Sequence, residues 1–314
     1  MSGALVPFRS YLCVLLIAAA SLLLPLSIAQ AQQTISPSEV FREALQIEKE
    51  LELLLEHFDI QENKNATHRF KVDLEPRHVW QKSYFILVKL NVFRAKNGLP
   101  RVPPNAMQPV QKLDPVLVYE QTQRILTEIA IIKTRLGIEI KTSKPEPVTG
   151  KKPIDVFNKL HGISLKMEIL NDAPISPSLV FSEVMRIYED SNSILRRLQL
   201  EDPTFPPAKM ESVTPQNSLE AAFELLKEIQ RLQRDLSIPR TDFSPFMKWD
   251  EIIPADVFNM VGMSLAELQT IKTALELNNT VTPQAKVYTG KKPADVHQLL
   301  RWITRKVRLI QSLR

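Results

Sequence analysis

One signal recurs eight times along these 314 residues and fixes most of what the chain can fold into: a proline followed three places later by valine. The prolines are Pro37, Pro76, Pro115, Pro153, Pro177, Pro215, Pro254 and Pro293, and only the sixth unit departs, with Ser218 in the valine place. Successive starts lie 39, 39, 38, 24, 38, 39 and 39 residues apart, which is the self-similarity of a helical repeat. In the first unit Ser36 is placed to cap an open backbone N–H, Pro37 suits the first helical position, and Glu39 completes a capping box. Ile35 and Val40 stand where a hydrophobic staple needs them.

From Val40 the apolar residues fall at alternating steps of four and three: Val40, Ala44, Ile47, Leu51, Leu54 and Phe58. That is the seam of a helix packed lengthwise on other helices. The same six places across all eight units hold 40 apolar residues in 48 slots, against roughly 21 for a chain of this composition. The second unit, with Tyr84-Phe85-Ile86-Leu87-Val88, is apolar nearly all round and should be the most buried helix. An apolar residue recurs 23 places after the proline (Ile60, Leu99, Ile138, Leu200, Ile238, Leu277), with Gly98 and Gly137 just before it in two units. This is the ending of a helix with a left-handed cap, and it predicts helices of about 22 residues, or roughly 33 Å. In the fourth unit Pro174 stops the helix early.

The short link at that point divides the chain into halves that match at an offset of 139 or 140 residues: Ile35 to Ser38 recurs at Ile175 to Ser178, and Thr149 to Pro153 at Thr289 to Pro293. The expected fold is all-α, a tandem duplication of a four-helix unit over residues 32–174 and 175–314, arranged as two helical bundles or one helical array. The connections of about 15 residues are longer than a bundle needs and rich in proline, as in Pro203, Pro206 and Pro207. Stretched out, 15 residues span about 46 Å, enough to return along a whole helix. Ordinary up-and-down packing is the expectation all the same, with parallel helices as the arrangement such loops also allow.

The first 31 residues read as a signal peptide, with Arg9 as the charge, Leu12 to Leu26 as the apolar core, and Ala29-Gln30-Ala31 as the cleavage site. The lone Cys13 falls inside it, so a mature chain beginning at Gln32 has no thiol for disulfides, thiolate metal sites or nucleophilic catalysis. Export without cysteine points to a periplasm, and no membrane span is expected once the leader is gone. Losing Arg9 lowers the formal charge from +5 to +4. Basic and acidic residues are interleaved along every helix, which reads as solvated surface and argues against a nucleic-acid partner.

The strongest candidate constellation is Thr-Gly-Lys-Lys-Pro-x-Asp-Val, present twice. It sets Lys151 and Lys152, and again Lys291 and Lys292, beside the open N–H groups of a helix start, where an anion could sit. Asp155 and Asp295 compete for the same N–H groups. The pair is no P-loop, because the upstream glycine and the following Ser or Thr are missing. Aromatic residues in the fifth place of six units (Phe41, Trp80, Tyr119, Phe157, Phe181, Phe258) are candidates to line a pocket or a core. Phe243, Phe246 and Trp249, in the loop after the sixth helix, are candidates for an exposed interface patch. The five histidines share no metal-ligand spacing, and no hydrolase elbow occurs. Carboxylates such as Glu48, Glu50, Glu52 and Glu56 read as outward-facing. The function expected on these grounds is non-catalytic and without cofactor: an exported helical-repeat protein that binds or scaffolds another envelope protein, or self-associates. The alternative is a sensory or carrier module for a small anionic or amphipathic ligand.

Overall fold

The computed structural model describes residues 35–61, 70–102, 112–173, 175–247 and 252–311. The leader with Cys13, Pro174 and Trp249 lie outside them. Among the described residues there are eight α-helices, each starting at one of the eight prolines: α1 Pro37–His57, α2 Pro76–Lys96, α3 Pro115–Arg135, α4 Pro153–Asn171, α5 Pro177–Arg197, α6 Pro215–Asp235, α7 Pro254–Ala274 and α8 Pro293–Arg308. A single 3-10 turn, Ser244–Met247, precedes α7.

The helix starts follow the sequence logic. Ser36 Oγ accepts from the Ser38 N–H at 3.2 Å while Glu39 Oε2 accepts from the Ser36 N–H at 2.9 Å. The ends follow it too, with more latitude in residue type. The N–H groups of Ile60, Leu99, Ile138, Leu200, Ile238 and Leu277 each bond the carbonyl five residues back. The residue before each of them has positive φ: Gly98 and Gly137, but also Asp59, Gln199, Ser237 and Glu276. The apolar contact after the cap is therefore strong enough to hold four non-glycine residues left-handed.

The helices of each half are parallel, not up-and-down. Pro37, Val40, Pro76, Val79, Pro115, Val118, Pro153 and Val156 converge at one end of the first half, and the corresponding residues of α5 to α8 converge in the second. Side-chain pairs between neighbours follow the same order along both helices, as in Lys159–Glu48 at 2.7 Å and then Lys166–Glu52 at 2.7 Å between α4 and α1. The physical reason lies in the long loops, which are bonded back along the helices. Between α5 and α6 the chain runs against the direction of α8, from Asp202 beside Lys306, through Thr204 on Trp302 Nε1 and Pro207 O on Gln298, to Lys209 beside Asp295. Between α3 and α4 it climbs α1 in the same way, from Thr142 on Glu50 to the Lys151 N–H on Ser38 Oγ at 3.1 Å.

In the first half α1 packs on α3 and α4, and α2 on the same two; in the second, α5 and α6 each pack on α7 and α8. The halves join through α2 and α7. Contacts of Arg77 with Glu267 and of Phe85 with Phe258 show that these two helices run antiparallel, so one bundle is inverted against the other. This gives α2 the nearly all-round burial its composition suggests, and gives α7 the same, with Val257 to Gln269 in the interior. The heptad seams form one continuous core, with Ala44, Ile47, Leu51 and Leu54 all sealed from solvent.

Candidate docking surface

The paired lysines are held by the protein itself. Lys151 Nζ lies over the Phe41 ring at 4.6 Å, and Lys291 Nζ over Phe181 at 4.4 Å and Tyr288 at 5.7 Å. Their backbone N–H groups donate to Ser38 and Ser178 Oγ. The N–H groups of Lys152 and Lys292 donate to Asp155 and Asp295, each at 2.8 Å. One lysine of each pair is thus stacked on an aromatic face and the open N–H is taken by an aspartate, which leaves Lys152 and Lys292 as exposed side chains.

The aromatic candidates separate into two groups. Trp80, Phe157 and Phe258 are buried, with Trp80 stacked on Tyr84 and Phe258 packed at a tilt against Phe85. Phe41, Tyr119 and Phe181 are half-buried against the core. The spaces at the two proline-lined bundle ends measure about 10 and 20 Å³, no more than a water or two. The expected exposed patch after α6 is interior: Phe243 and Phe246 are buried, and Phe246 stacks on Phe70 of the other half at 4.5 Å. They fill the junction between bundles because the α6–α7 loop passes over the start of α2, where Phe243 meets His78 at 5.5 Å.

Several buried and half-buried polar groups carry no signal in the heptad pattern. Glu50 is half-buried and bound: it accepts from Lys133 Nζ at 2.6 Å and from Thr142 Oγ1 at 2.5 Å. The same triad recurs one duplication later as Asp190, Lys272 and Thr282. In both, the lysine 18 places after its proline meets an acid 13 places after the neighbouring proline; Arg94–Glu128 and Gln233–Glu267 repeat that spacing. Lys82, sealed between the halves, donates to Asn259 Oδ1 at 2.7 Å and meets His161 Nδ1 at 3.2 Å. Burial, reinforced by the charge of Lys89, holds its ammonium well below the usual lysine range. Among the described residues no three His, Cys, Asp or Glu side chains come together as a metal site requires.

What faces solvent is the segment between α5 and α6. Phe205 is 78% exposed, and Leu200 and Met210 flank it as further exposed apolar residues. Its surroundings are fixed: Thr204 accepts from Trp302 Nε1, Phe205 O from Arg305, Pro207 O from Gln298, and Asp202 pairs with Lys306. Protein-family models, curated proteins and solved structures give no match to this chain. The surface must be read from its own chemistry. None of the described helices is long and apolar enough to cross a membrane, so this stripe is not part of a helical span. It is an aromatic side chain framed by Pro203, Pro206 and Pro207 and held outward by α8.

Proposed function

We propose that this chain is an exported, non-catalytic binding module that engages another envelope protein, or a second copy of itself, through the proline-framed stripe from Leu200 to Met210. The observation that carries the reading is Phe205, an exposed aromatic whose flanking backbone is already fixed by α8. Docking such a segment costs little ordering entropy, because the immobilisation was completed on folding. Proline-framed aromatic residues suit a partner with an apolar groove that reads an extended chain. The interior charges support a structural role for themselves, since Glu50, Asp190 and Glu267 are each bound by neighbouring helices. Export rests on the leader-like first 31 residues.

The test is native mass spectrometry of the protein purified gently from the envelope of its own host, beside a Phe205→Ser variant. The reading expects a stoichiometric protein companion, or a defined homo-oligomer, that is lost in the variant. A monomer in both samples, or an assembly indifferent to the substitution, contradicts it.

A further inference from the structure

The return segment between α7 and α8 leaves a cleft of about 220 Å³ against α5, the volume of several water molecules and so of a small organic ligand. Its wall carries Arg186, Glu189 and Ser182 from α5, Lys286 from the segment, and Met185 and Tyr288 as apolar surface. Arg186 is 1% exposed and almost fully committed: Nη1 donates to Glu183 at 2.7 Å, Nε to Pro283 O at 3.0 Å, and the guanidinium lies 4.2 Å over the Tyr84 ring. Its Nη2 has no hydrogen-bond partner. A buried donor left unmade is costly, and here it belongs to a side chain that lines an open cleft. Glu189 and Lys286, on opposite walls, make no ion pair among the described residues. Ser182 Oγ donates to Ser178 O at 2.9 Å, which leaves its lone pairs to accept.

The duplication supplies an internal comparison. At the matching place in the first half Gln46 stands for Arg186, Lys49 for Glu189 and Ser143 for Pro283. There Lys49 Nζ donates to Ser143 O at 3.1 Å and Gln46 bonds Thr142 and Glu50. In the second half the matching loop carbonyl, Pro283 O, is taken by Arg186 Nε instead, and Glu189, which as a carboxylate cannot donate to it, is left without that bond. The Asp190–Lys272–Thr282 triad beneath is retained, which shows that the change is confined to the cleft lining.

We propose that this cleft binds a small zwitterion of the free amino-acid class, its carboxylate on Lys286 beside the Arg186 guanidinium and its ammonium on Glu189 and Ser182. Both signs of charge on facing walls select for a ligand that carries both. A simple anion would meet Glu189, and a simple cation would meet Arg186. Met185 and Tyr288 are left for the ligand side chain.

The experiment is a thermal-shift screen of the purified protein against the common free L-amino acids, singly and up to ~10 mM, followed by calorimetry of the best responder. Its carboxylic acid without the amine and its amine without the carboxylate serve as controls. Arg186 stays in place, since removing it strands buried Glu183; Glu189→Gln and Lys286→Ala, in half-buried and exposed positions, carry the test without disturbing the core. One site per chain is expected, with each control compound and each variant weaker by roughly tenfold or more, the loss of a charge-assisted hydrogen bond. No binding by any amino acid, equal binding of the amine-free acid, or wild-type affinity in both variants would overturn the assignment.

Discussion

Glu267 shows how far a single side chain can depart from its reading in the sequence. It stands 13 places after Pro254, a charged residue between Ala266 and Leu268, yet it is sealed at the junction of the bundles. The Glu75 N–H donates to His78 Nδ1, so the ring proton sits on Nε2 and is given to Glu267 Oε1 at 2.5 Å; Arg77 Nε adds a bond at 3.0 Å. Burial pushes the carboxyl up, but the His78 bond, the Arg77 charge and Gln233 outweigh it and hold Glu267 at about 2, against an ordinary 4.5. A lowered folded value stabilises above pH 4.5 and loses that contribution as pH falls toward 2. Urea unfolding across that window should show a loss of order 3 kcal/mol. Glu267→Gln should cost about 3 kcal/mol at neutral pH and flatten the acid limb; an unchanged acid limb would remove Glu267 from its cause. Close by, a Cβ on Gly262 would stand 2.7 Å from Phe85 Cε2. Gly262→Ala should therefore destabilise by about 1–2 kcal/mol despite its better helix propensity. None of these residues was legible, because a seam of six places describes one helix face and each helix here has two or more neighbours. Charges at the flanking places look solvated in one dimension for the same reason.

At the scale of the helix the sequence was far more explicit. Proline, cap and seam together locate every helix start, because each acts through bonds within a few residues, and the eight observed helices begin at the eight prolines. The ends were half legible: glycine marks two left-handed caps, whereas Asp59, Gln199, Ser237 and Glu276 carry none of that signal. Those four are held by the apolar residue after them, and relieving the strain should stabilise. Ser237→Gly is expected to raise stability by about 0.5–1 kcal/mol, and Gly98→Ala, at φ 68°, to lower it by about 1 kcal/mol; thermal denaturation of the pair checks both. Helix direction was not legible, since a 15-residue loop permits either sense. What decides it are single side chains that hold the returning backbone, such as Asn158 on both the N–H and C=O of Phe70 and Gln298 on Pro207 O. Asparagine or glutamine on a helix flank carries no such message in one dimension.

For the whole molecule the duplication was plain in the sequence, and the way its halves meet was not. The junction uses α2 of one half and α7 of the other, which are not equivalent elements, so no internal symmetry could have pointed to it. It also uses Phe246, which fills the space beside Phe70 and Phe157 instead of facing solvent. Phe246→Ala should cost about 3–5 kcal/mol. It should also let the halves unfold in two separate transitions, since most of each seam packs within its own half; a lone, merely shifted transition in calorimetry would contradict a coupling through Phe246. Parallel helices set both proposed surfaces, for returning loops lie along α8 to hold Phe205 outward and along α5 to wall the Arg186 cleft. The most direct measurement is the distance between spin labels on cysteines placed at Gln216 and Lys292, exposed residues at the starts of neighbouring helices α6 and α8, with Cys13 replaced by serine. Parallel helices at an interaxial spacing of 8–10 Å give a separation below roughly 20 Å. A separation near a helix length, roughly 30 Å, would mean that α6 and α8 run in opposite directions, and both surfaces would fall with the parallel fold.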